Sequence, residues 1–219
     1  MRKIVISALF LIANAAHAQS LPREFEGVIT YKTTIVLKDK SLNLDKLYEM
    51  FGKERQYFFK AGKYKWVPKA VKLEYEIFNP VLSPSLIIDK YHSTDTLYYR
   101  DAKKDPDTVQ NVYEGASKTI LNIPCHSSVF TVYNTVSKDE IRRTIYYPSD
   151  SLQYARPYYD QHVAMGQGFI ARYTKALPLR MELDMKTVPF TIIYEATKIE
   201  WKPVSDSEFA VNERLPVRK

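Results

Sequence analysis

Cysteine and glycine are both scarce in this chain, and each shortage restricts what it can be. The only cysteine is Cys125. A single thiol permits no internal disulfide, so the fold must rest on its core. A chain of 219 residues is long enough to build one. No C-x-x-C or H-x-x-x-H spacing occurs, so the short redox and zinc motifs are excluded. The six glycines form no P-loop, no G-x-G-x-x-G and no G-x-S-x-G, and Gly166-Gln167-Gly168 alone carries little. Long blocks of like charge are missing too. The formal charge is +7, but both signs alternate along the chain, as on a solvated basic surface.

The N-terminus has the order of parts of a secretory signal peptide. Arg2 and Lys3 form a basic start, Ile4 to Ile12 is apolar apart from Ser7, and Ala16-His17-Ala18 is a small-x-small cleavage site. The apolar run is too short to span a bilayer, which takes about 20 residues, and no later run is longer. The expectation is a leader over residues 1–18, cleaved between Ala18 and Gln19, and one domain over 19–219. Gln19, not a cysteine, stands directly after the cut, so a lipoprotein is not expected. The mature chain should be periplasmic or secreted, which makes nucleic acid a poor partner.

The rest alternates with a period of two. In FEGVITYKTTIVL, Phe25, Ile29, Tyr31, Ile35 and Leu37 share one face of a long strand. RQYFFKAGKYKWV predicts an aromatic hairpin turning at Ala61-Gly62, and PSLIIDKYHSTDTLYYRD a second one turning at His92 to Asp95. VKLEYEIF sets Val71, Leu73, Tyr75 and Ile77 against Lys72, Glu74 and Glu76, a wet face. SSVFTVYNTV and EIRRTIYYP follow, joined through residues 137–139, and then PLRMELDM. In PFTIIYEATKIEW the apolar set changes face between Tyr194 and Ile199, which predicts a bulge. SLNLDKLYEMFGK carries Leu44, Leu47, Tyr48 and Phe51 at helical spacing, with Ser41 as N-cap and Gly52 as C-cap. Ser149 or Asp150 could cap a second, short helix ending before Pro157. About ten amphipathic strands and one or two helices indicate a mainly β fold, an antiparallel sheet that must cover or curl around its apolar face.

The segments FEGVITY, FFKAGKYKW, IIDKYHSTDTLYY, ILNIPCHSSVFTV, ALPLRMELDM and PVSDSEFAV, in this order, resemble a family of secreted Gram-negative proteins with a lipoprotein-carrier-like fold. That family is related to the GLPGLI-motif proteins. The resemblance implies a strongly curved antiparallel sheet, a half-open barrel, with one or two helices over its concave face. It implies a possible lipid-binding role and supplies no catalytic residue and no cofactor.

Chemical candidates are few. Cys125 and His126 adjoin on a predicted strand and so point to opposite faces, which makes a poor nucleophile–base pair. His92, His126 and His162 are far apart, and no metal site is expected. The carboxylates Glu74 with Glu76 and Glu182 with Asp184 read as wet faces. The aromatic residues Phe25, Tyr31, Phe59, Trp66, Tyr75, Tyr99, Phe130 and Trp201 could line an apolar cavity or simply fill a core. Lys32, Lys63, Lys65, Arg142 and Arg143 could flank its mouth. The expected function is non-enzymatic binding of a lipid, a lipoprotein acyl chain or another apolar small molecule. The alternative is a scaffold for an envelope protein partner, with no cavity.

Overall fold

The alternation is realised in one sheet. The computed structural model describes residues 24–104, 107–153, 156–160, 162–164, 167–212 and 214–218. The expected leader and its cleavage site lie outside the described residues. The first strands are β1 (Gly27–Leu37), β2 (Glu54–Lys60), β3 (Lys63–Pro68), β4 (Leu73–Phe78), β5 (Leu86–Tyr91) and β6 (Leu97–Asp101). Then come β7 (Asp107–Glu114), β8 (Lys118–Ile120), β9 (Ile123–Asn134), β10 (Asp139–Pro148), β11 (Arg180–Met185), β12 (Phe190–Trp201) and β13 (Val217–Arg218). Helix α1 spans Leu44–Phe51 and α2 spans Gln167–Thr174. The strand order is β13-β6-β5-β4-β3-β2-β1-β12-β11-β10-β9-β7, with β8 beside β9. Every pairing is antiparallel except β13 with β6.

Connectivity shows that this sheet curls. Strands β6 and β7 are ten places apart in the order. In a flat sheet that is about 48 Å at about 4.8 Å per strand. Yet only six residue steps separate Asp101 from Asp107, a reach of at most about 22 Å. The sheet therefore bends its two ends towards each other. Among the described residues they do not pair, so the barrel stays open.

Local chemistry sets the details. Ala61 and Gly62 both have positive φ, 46° and 75°, the primed turn that suits a two-residue hairpin. Thr30 pairs with Lys198 but Tyr31 with Ala196, so Thr197 is the extra residue of the predicted bulge. Helix α1 starts later than the sequence predicts. Asn43, not Ser41, caps it, its side chain accepting from Lys46 N, and Gly52 closes it at φ 74°. The helix expected from Ser149 or Asp150 is absent among the described residues. The chain bends there, Leu152 takes a positive φ, and Gln153 bridges to Ala176.

Three segments cover the concave face. Leu47, Tyr48 and Phe51 of α1 pack on the core at one end, with Phe51 edge-on to Phe190. A strap carrying Tyr159 and His162 packs on Tyr64 and Phe78, tied down by Val163 and Ala164 N–H groups donating to Ala102 O. Helix α2 lies over Phe130 through Phe169 and Tyr173. Behind β2 and β3, the C-terminal segment pairs Asp206 with Lys60 and Lys63 and Glu208 with Lys65. It ends as β13 against β6, so the convex side of this half is covered as well.

Candidate functional site

Register decides what faces inwards. Tyr57, Trp66, Glu76 and Asp89 stand in one row across β2 to β5. Tyr194, Met181 and Ile145 stand in a second row across β12, β11 and β10. The curl turns the two rows towards each other around a cavity of about 360 Å³. Its walls are Arg55, Tyr57, Trp66, Glu76 and Arg100 on one side, and Arg143, Ile145, Met181, Leu183 and Tyr194 on the other. Ala164, Gln167 and Ile170 roof it. A second cavity of about 350 Å³ lies beneath α2, between Phe130, Val132 and Phe169. The two share Asp107, Arg143 and Ile170.

A buried polar cluster stands at one wall. Tyr64, completely buried, donates its phenol proton to Glu76 Oε1 at 2.8 Å. Its oxygen also lies 2.9 Å from His162 Nε2, within hydrogen-bond distance. Arg100 bonds Glu76 Oε2 at 2.7 Å and pairs with Asp89. Burial, joined by the charge of Asp89 and opposed by that of Arg100, pushes Glu76 up to about 7. Burial likewise pulls His162 down to about 4, so this histidine is neutral at pH 7. Its Nδ1 is buried without a hydrogen bond.

Arg55 is the other unusual group. It is 5% exposed, and its guanidinium lies against Tyr194, 3.2 Å from the ring centroid, and Trp66, at 4.7 Å. Nη2 donates to Phe51 O over 3.4 Å, and Nε has no hydrogen-bond partner. Burial lowers its pKa. Period two in RQYFF puts Arg55 on the same face as Tyr57 and Phe59, a signal that was present in the sequence.

The eight predicted aromatic residues are not brought together. Trp66 lines the first cavity and Phe130 the second. Phe25, Tyr31 and Phe59 belong to the packed core, with Tyr31 donating to Pro178 O at 2.7 Å. Tyr75 and Tyr99 lie on the convex face, Tyr75 beneath Lys65 and Tyr99 across from Ile88. Trp201 is 52% exposed at the end of β12, edge-on to Phe25. Of the basic candidates, only Arg143 reaches the cavities, where it pairs with Asp107. Lys63 and Lys65 are bound on the convex face, and Lys32 and Arg142 are exposed. Glu76 does not lie on a wet face with Glu74. A register shift between Leu73 and Tyr75 and the covering C-terminal segment leave both faces of β4 buried around it.

Cys125 is buried, with Ile123 O as its partner at 3.4 Å, while its neighbour His126 is exposed. Burial raises the thiol's pKa. Among the described residues no three His, Cys, Asp or Glu are grouped to hold a metal ion, and no helix is long and apolar enough to cross a membrane.

No family model matches the chain, and no curated protein matches it. Among solved structures it is similar to an uncharacterized conserved protein from Thermus thermophilus. The identity is 8% and the TM-score 0.47, over 97% of this chain and 98% of that one.

Proposed function

We propose that this is a non-enzymatic protein that binds an apolar or amphipathic molecule in the concavity of a half-barrel of the lipoprotein-carrier type. It does so in the periplasm or beyond, after export. One observation carries the reading: two adjoining cavities of about 350 and 360 Å³ between the sheet and α2. Their size falls in the range of small-ligand sites, and their walls combine aromatic and aliphatic side chains with charged and polar ones. The alternative, a scaffold without a cavity, would need a joined apolar patch. Of the large exposed apolar side chains, Val71, Val81 with Leu82, and Val136 sit on separate turns, and Val36, Met50 and Trp201 lie apart on β1, α1 and β12.

Native mass spectrometry of the protein released from the cell envelope without detergent tests this. The expected spectrum contains a bound species of lipid mass that organic solvent removes. Bare protein alone, with no uptake of added chain amphiphiles, would overturn the reading.

A further inference from the structure

The cavity wall contains one buried cation without a counter-ion among the described residues. Arg100 is held by Glu76 and Asp89, and Arg143 by Asp107. Lys104 is mostly exposed. Arg55 has no acidic partner among the described residues. A guanidinium so far from water is costly unless something answers its charge. The ring faces of Tyr194 and Trp66 answer it in part.

Those two rings also dictate what else can bind. The Tyr194 ring, 3.2 Å from the guanidinium carbon, covers one face of the group, so a ligand must meet its edge. On that edge Nε is buried without a hydrogen-bond partner, and Nη2 makes a long bond to Phe51 O. An edge of parallel N–H groups matches a planar carboxylate. A phosphate monoester would bring a second charge and a third oxygen that a single edge cannot meet. Beyond Arg55 the same cavity runs along Ile145, Met181 and Leu183, a surface for a hydrocarbon chain.

We propose that the cavity holds a long-chain carboxylate of the fatty-acid class, its carboxylate on the edge of Arg55 and its chain along Ile145, Met181 and Leu183. This rests on the cavity-binding reading and specifies its ligand.

Calorimetric titration with dodecanoate, dodecanol and dodecyl phosphate separates the two. The native chain should bind dodecanoate at least about tenfold more tightly than dodecanol, the scale of one charge-assisted contact. Dodecyl phosphate should bind no better than dodecanoate. Arg55→Met should erase the preference for the acid over dodecanol, and Arg55→Lys should keep part of it. Equal binding of acid and alcohol by the native chain, tighter binding of the phosphate, or a preference that survives Arg55→Met would overturn the proposal. Binding of none of the three would overturn the cavity reading itself, and this proposal with it. If Arg55→Met fails to fold, the comparison of ligands on the native chain still decides.

Discussion

At the Tyr64–Phe78 end of β3 and β4, the chain fills its own concave face. Tyr64 and Phe78 are completely buried there, packed with Tyr159 and His162 of the strap. On the β10–β12 side, Met181 and Leu183 remain partly exposed towards a cavity roofed by a few residues of the strap and one short helix. Both sides obey the same alternation. They differ in what the chain lays over them: a strap whose rings fill the space on one, and an eight-residue helix that sets Phe169 and Tyr173 on Phe130 and leaves a cavity beside it on the other. An apolar strand face thus becomes core or binding surface according to its cover, which lies elsewhere in the sequence.

The largest test of this contrast is truncation on each side. Phe78→Ala should cost about 3–5 kcal/mol, since it hollows a filled site. Met181→Ala, already facing a cavity, should cost less than about 2 kcal/mol. Urea unfolding measures both, and equal losses would remove the distinction.

The polar cluster on the filled side predicts two opposite pH slopes. Glu76 ionises near 4.5 when unfolded and near 7 in the fold. Its contribution to stability therefore falls as pH rises from about 4.5 to about 7. His162 takes up a proton near 6.5 when unfolded and near 4 in the fold. Its contribution is present above about 6.5 and is lost as pH falls towards 4. Between 4.5 and 6.5 the two oppose each other. Glu76→Gln should leave stability rising with pH in this window, and His162→Gln should leave it falling, each by up to about 1.4 kcal/mol per pH unit. Thermal melts across this range would show parallel curves if the cluster were not the source.

A smaller effect is expected where the strap meets the filled side. Gly62 has φ 75°, and a Cβ there would come within 2.2 Å of the Tyr158 ring. Gly62→Ala should cost about 1–3 kcal/mol without changing ligand binding across the sheet. The smallest effect is on Cys125, which should react with a thiol reagent only as fast as the protein opens. Rapid labelling of the folded chain would contradict its burial.

Much of the architecture was legible because it rests on local periodicity. The β2–β3 hairpin, the bulge at Thr197 and α1 all follow from side-chain order and turn residues. Helix α2 was not legible. Its eight residues, QGFIARYT, have no clean apolar stripe, and they are helical because Ile170 and Phe169 find Phe130 and Ile145 beneath them. The site was legible only in part. Aromatic abundance marks the inner rows but cannot say which ring is covered, and so Trp66 alone of the eight reached the cavity beside Arg55. Glu76 read as part of a wet face, and Arg55 as one polar residue of an aromatic hairpin. What made them interior was the curl of the sheet and the strap across its concave face, neither of which is a local property.

The most direct test of the central claim uses the two tryptophans as reporters. Trp66 lines the cavity, whereas Trp201 is exposed at the end of β12. In Trp201→Phe, titration with 2-bromododecanoate, whose bromine stands beside the carboxylate and quenches at contact range, should extinguish Trp66 fluorescence saturably, and dodecanoate should restore it. Quenching no stronger than that of free tryptophan, or quenching that dodecanoate does not reverse, would contradict binding in the concavity.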